Sequence, residues 1–133
     1  MIGFFEQFNR EFAGMRLDPD HAVVGEMLAE KYGIRFREGN GEIELRFLSR
    51  PLPGAQPARR YNASVCIRVM RGMEDVISSF CMKHWVQTER GSEPADTLMT
   101  DGEFLRGIAI LQEYLDKVAV SGAVEECRWR ETA

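Results

Sequence analysis

No stretch of this 133-residue chain approaches the roughly 18 consecutive apolar residues of a membrane span, so no membrane role is expected. The segment from Met1 to Phe12 lacks the basic leading region of a secretion signal, and Glu6, Arg10 and Glu11 interrupt its apolar residues. Both absences point to a cytoplasmic protein. Cysteine is scarce. Cys66, Cys81 and Cys127 form an odd set without paired spacing, which argues against a disulfide framework and for free thiols. They also lack close metal-ligand spacing, and the two histidines, His21 and His84, make no paired motif. Gly39-Asn40-Gly41 is too short to cradle a phosphate and suits a hairpin turn. No metal and no cofactor are therefore expected.

Acidic residues are missing from one long stretch. Between Arg46 and Gly72 there are six arginines (Arg46, Arg50, Arg59, Arg60, Arg68 and Arg71) and no Asp or Glu. Removing those six positive charges from the formal net charge of -4 leaves -10 over the rest of the chain. Such a balance disfavours generic nucleic-acid binding and leaves room for a local contact with an acidic surface.

What is present fits one α+β domain spanning residues 1–133. Phe4, Phe8 and Phe12 recur every fourth residue and stack on one side of a helix, with Phe5 widening the stripe. Asp18-Pro19-Asp20 reads as the start of a second helix, with Asp18 as cap and Pro19 in the first position. Gly33 is placed to stop it. Ile34 to Arg37 and Ile43 to Phe47 alternate around the Gly39-Asn40-Gly41 turn and predict a hairpin with its apolar side on the core. Residues 49–62 contain Pro51, Pro53 and Pro57 and read as a flexible Pro/Arg-containing loop. Val65, Ile67 and Val69 predict another strand. The segment Asp75 to Thr88 fits strand or helix, and its β-rich composition favours the strand. Asp101 is the expected cap of a C-terminal helix bearing Phe104, Leu105, Ile108, Leu111, Leu115 and Val118 on its apolar side. The tail from Val120 to Ala133 suits a short edge strand or the packing of Trp129. The expected architecture is thus two N-terminal helices, a three- or four-stranded antiparallel sheet and a packed C-terminal helix.

No catalytic constellation emerges. Asp18 and Asp20 are explained by helix capping, and Glu74-Asp75 and Glu125-Glu126 suit solvated positions. In a strand, Cys81 and His84 fall on opposite faces, which separates that pair, although Cys66 remains free to meet His84 in space. The strongest polar contact candidate is Arg59-Arg60-Tyr61-Asn62, with Arg50 as a further member. Guanidinium groups bind carboxylate or phosphate through paired hydrogen bonds, and Tyr61 can stack beside them. The terminal stripe of Phe4, Phe8 and Phe12 either packs in the chain's own core or anchors a partner.

These features favour a non-enzymatic protein-binding module, such as an inhibitor, immunity factor, assembly chaperone or adaptor, with Phe4, Phe8, Phe12, Arg50, Arg59, Arg60 and Tyr61 as contact residues. The expected partner is another protein or a second copy of this chain. The competing readings are a self-associating structural protein, a small-pocket enzyme using a free cysteine, and a weak nucleic-acid-binding protein.

Overall fold

A computed structural model describes residues 3–54 and 58–120; the Phe4 side chain, Cys127, Trp129 and the Glu125-Glu126 pair lie outside this set. Helix α1 (Phe4–Phe12) is followed by strand β1 (Arg16–Leu17), helix α2 (His21–Tyr32), and strands β2 (Arg35–Gly39), β3 (Glu42–Pro51), β4 (Arg60–Met70), β5 (Met73–Thr88) and β6 (Gly91–Pro94). Helix α3 (Asp101–Val118) and strand β7 (Ala119–Val120) complete the described fold. The strands form one antiparallel sheet in the order β2-β3-β4-β5-β1-β7, with β6 also on β5. The α+β class is the expected one, but among the described residues the sheet has seven strands rather than three or four. The additions, β1, β6 and β7, span only 2, 4 and 2 residues, too few for an alternating pattern to show.

All three helices feed one core. Phe8 and Phe12 of α1, Leu28 of α2, and Ile110, Leu111 and Leu115 of α3 meet Ile43, Leu45 and Phe47 of β3 and Val65 and Ile67 of β4. Two glycines let the layers approach. A Cβ at Gly25 would sit 2.2 Å from the Phe36 ring, and one at Gly107 would sit 2.6 Å from the Phe47 ring. The β2–β3 turn takes Asn40 and Gly41 at φ 52° and 72°, the paired left-handed conformation of a tight hairpin.

Several local expectations change. Helix α2 begins at His21 rather than after Asp18, because Asp18 is spent on a preceding turn, where its carboxylate accepts from the Asp20 amide at 2.8 Å. Gly33, at φ 66°, closes the helix as expected. Thr100, not Asp101, caps α3: its hydroxyl accepts from the Glu103 amide while the Glu103 carboxylate accepts from the Thr100 amide. Leu105 is exposed, whereas Ile110 and Tyr114 are buried, since the inner face of α3 follows Gly107, Ile110, Leu111, Tyr114, Leu115 and Val118.

The segment 75–88 is a strand, with one irregularity. Arg68 pairs with Ser79 but Val69 pairs with Ile77, so Ser78 is an extra residue. That bulge turns Ile77 onto the core side with Phe80, against the strict alternation that separates them. The expected 49–62 loop is shorter, because Ser49, Arg50 and Pro51 pair with Asn62, Tyr61 and Arg60.

Candidate functional site

The predicted contact residues divide between the two faces of the sheet. Phe8 and Phe12 are 6% and 5% exposed, so their rings belong to the chain's own core and are not displayed as an anchor. Tyr61 is fully buried, and its hydroxyl is hydrogen-bonded to His84 Nδ1 at 2.8 Å. Arg50 lies directly across from Tyr61, 4.9 Å over its ring, and its Nε donates to Glu103 of α3 at 2.7 Å. That guanidinium holds the Glu103 carboxyl below the usual carboxylate range. Arg59 points to Glu93 of β6 at 3.4 Å. Arg50, Arg59 and Tyr61 are thus engaged within the fold, and of the predicted set Arg60 remains at an open site.

That site forms where β2 stops pairing with β3. The β2 register ends at Arg35 opposite Arg46, so Leu48 to Pro51 pair with β4 alone. A second bulge falls there: Arg46 opposes Ser64, but Leu48 opposes Ala63. The extra residue keeps both Phe47 and Leu48 toward the core and returns Ser49 to the side of Arg46. The result is an open cleft of about 770 Å³, lined by Arg35, Arg46, Arg60 and Arg106 together with Ser49 and Asn62.

No Asp or Glu lines this cleft among the described residues. Its arginines are oriented mainly by neutral groups. Arg60 donates to the Ser49 hydroxyl and carbonyl, each at 3.0 Å. Arg106 donates to the Phe47 carbonyl and, at 2.9 Å, to the Tyr32 carbonyl. These bonds cover free carbonyls near the sheet edge and leave the positive charges unneutralised. The Arg46 guanidinium stacks 4.9 Å over the Trp85 ring; its nearest carboxylate is Glu44 at 3.8 Å, and its Nε is buried without a partner. Asn62 is 4% exposed and lies in the lining of the cleft.

Arg46 and Arg60 belong to the acid-free stretch of sequence, which was the available signal. Arg35 and Arg106 lie outside it, and nothing in the linear pattern ties them to the other two. Asn62, Ser64 and Cys66 are buried although they alternate with the core-facing Tyr61, Ala63, Val65 and Ile67 along β4.

The register also settles the cysteines. Cys66 faces Cys81 directly across β4 and β5, while His84 faces Ala63 and bonds Tyr61. No histidine therefore serves either of these thiols. Burial, followed by the neighbouring Cys81 and Glu42, pushes the Cys66 thiol far above its ordinary pKa, so it is held protonated. Among the described residues, no helix is long and apolar enough to cross a membrane. No protein-family model, curated protein or solved structure matches the chain.

Proposed function

We propose that this chain is a non-enzymatic, cytoplasmic protein-binding module that docks an acidic segment of a partner protein in the cleft beside β3. The observation that carries this reading is the meeting of four arginines from β2, β3, β4 and α3 around a cleft with no carboxylate in its described lining. Guanidinium forks match carboxylates in pairs, and Asn62 in the cleft lining carries an amide donor and acceptor that suit a peptide backbone. An extended acidic segment fits beside Leu48 to Pro51, which have a strand neighbour on one side only, with its side-chain carboxylates meeting the arginines. A protein partner is favoured over nucleic acid because the chain carries a formal net charge of -4, which repels a polyanion as a whole while leaving the local cleft attractive.

The test is titration of a fluorescent glutamate-rich decapeptide into the full chain at rising salt, with a single-stranded oligonucleotide in parallel. Peptide binding that weakens with salt is expected, and Arg60→Glu should weaken it by at least about tenfold through loss of a charge-assisted contact. Arg71→Glu, outside the cleft, should leave it unchanged. Equal loss with both variants, or preference for the oligonucleotide, would overturn the proposal.

A further inference from the structure

The helix-free face carries a second cluster, separate from the arginine cleft. Cys66 of β4 and Cys81 of β5 are directly opposed, and β3 sets Glu44 opposite Cys66 and Glu42 two pairs further along, on the same face. The ligand atoms of Glu42, Cys66 and Cys81 all lie within 4.8 Å of one another. From this geometry we infer that Glu42, Cys66 and Cys81 form a binding site for a thiophilic divalent cation of the Zn²⁺ class.

The donor set selects the metal. Two sulfurs and one carboxylate oxygen suit Zn²⁺, whereas Mg²⁺ and Ca²⁺ require oxygen throughout. In a tetrahedral site with Zn–S bonds of about 2.3 Å, the two sulfurs stand about 3.7 Å apart. Side-chain movements of about an ångström are enough to close the cluster around such an ion. Its three donors come from three adjacent paired strands, which fixes their spacing more firmly than loops would.

Charge and access favour the same assignment. A Zn²⁺ ion with two thiolates and one carboxylate carries a net charge of -1. Lys83, whose Nζ donates to Glu42 Oε1 at 2.6 Å, supplies the compensating positive charge. Cys66 is fully buried, while Cys81 and Glu42 are only partly covered. The cation therefore enters from the open face, where a fourth position is left for water or a group from outside. Binding releases the two thiol protons to solvent, with no change of oxidation state: two S–H bonds break and two S–Zn bonds form. Linear sequence conceals the site, because Cys66 and Cys81 are joined only by the hairpin register. This inference does not depend on the proposed binding of an acidic segment.

The test uses the full chain, reduced and freed of metal, titrated with Co²⁺ and then Zn²⁺. Expected are one Co²⁺ per chain, with sulfur-to-cobalt charge transfer and the visible bands of a tetrahedral ion, and displacement of Co²⁺ by Zn²⁺. Cys81→Ala is the decisive variant, since Cys81 is partly exposed and its loss spares the core; it should weaken Zn²⁺ binding by about 100-fold or more. Cys127→Ala should bind as the parent does, and Lys83→Met should retain the cobalt bands with weaker affinity. Unchanged binding by folded Cys81→Ala, or Co²⁺ binding without sulfur charge transfer, would overturn the inference. A Cys66–Cys81 disulfide that forms under the same reducing conditions and leaves the chain unable to bind Zn²⁺ would overturn it as well.

Discussion

The ring of Phe8 lies 5.7 Å from the ring of Phe80, joining the first helix to the longest strand across the core. Phe12 stacks on Phe8 at 6.1 Å, so the α1 stripe is built into the same aromatic cluster. Phe8→Ala and Phe12→Ala should each destabilise the chain by about 3–5 kcal/mol through lost burial and the cavity left behind. Denaturant unfolding of the isolated chain checks this. Stability within about 0.5 kcal/mol of the parent would mean that the rings serve a partner rather than this core.

Gly107→Ala separates helix propensity from packing. Propensity alone favours alanine in the middle of α3 by about 1 kcal/mol. The added Cβ would stand 2.6 Å from the Phe47 ring, and overpacking of a filled core costs about 1–3 kcal/mol. The clash should win, giving a less stable chain by thermal unfolding. A more stable variant would show that Phe47 has room to move.

Glu113 ties α3 to α2 and makes stability acid-sensitive. Its carboxylate accepts from the Tyr32 hydroxyl, from Lys31 at 3.0 Å and from Lys117 at 3.3 Å. The Tyr32 bond first, then the Lys31 bond, holds the folded carboxyl down at about 2, from an ordinary value of 4.5. The unfolded chain therefore takes up this proton first as pH falls. The stabilisation is complete above about pH 4.5 and is lost between there and about pH 2. Glu113→Gln should lower the melting temperature at neutral pH and flatten its acid-side fall across that window. Parallel melting curves for the two chains from neutral pH to about pH 2 would rule this out.

Secondary structure was legible wherever local chemistry and periodicity agreed. The α1 stripe, the Asn40-Gly41 hairpin, the Gly33 stop and the α3 amphipathic pattern all follow from residues close together in the chain. The errors cluster where a side chain had two uses. Asp18 makes a turn rather than the α2 cap, and Thr100 takes the cap expected of Asp101. Ile77 reaches the core side only because a bulge at Ser78 resets the strand period, and alternation cannot be read across an unseen extra residue.

The candidate site was less legible. Arg50, Arg59, Arg60 and Tyr61 look like one contact group because they flank one loop. Pairing distributes them: Arg50 and Tyr61 toward α3, Arg59 toward β6, and Arg60 into the cleft. Adjacent strand residues face opposite sides, so proximity in sequence did not translate into a shared surface.

By itself the sequence determined the α+β class, the main helices and hairpin, and the acid-free stretch that supplies Arg46 and Arg60. Those properties depend on periodicity, turn chemistry and charge, which are local or additive along the chain. Only the tertiary structure decided that Arg35 and Arg106 join that pair, that Asn62 lies nearly buried in the same cleft, and that Cys66 meets Cys81. Each depends on strand register and on the bulges that shift it. Register is set by the fit of whole strands against a common core, so no short segment of the chain contains it.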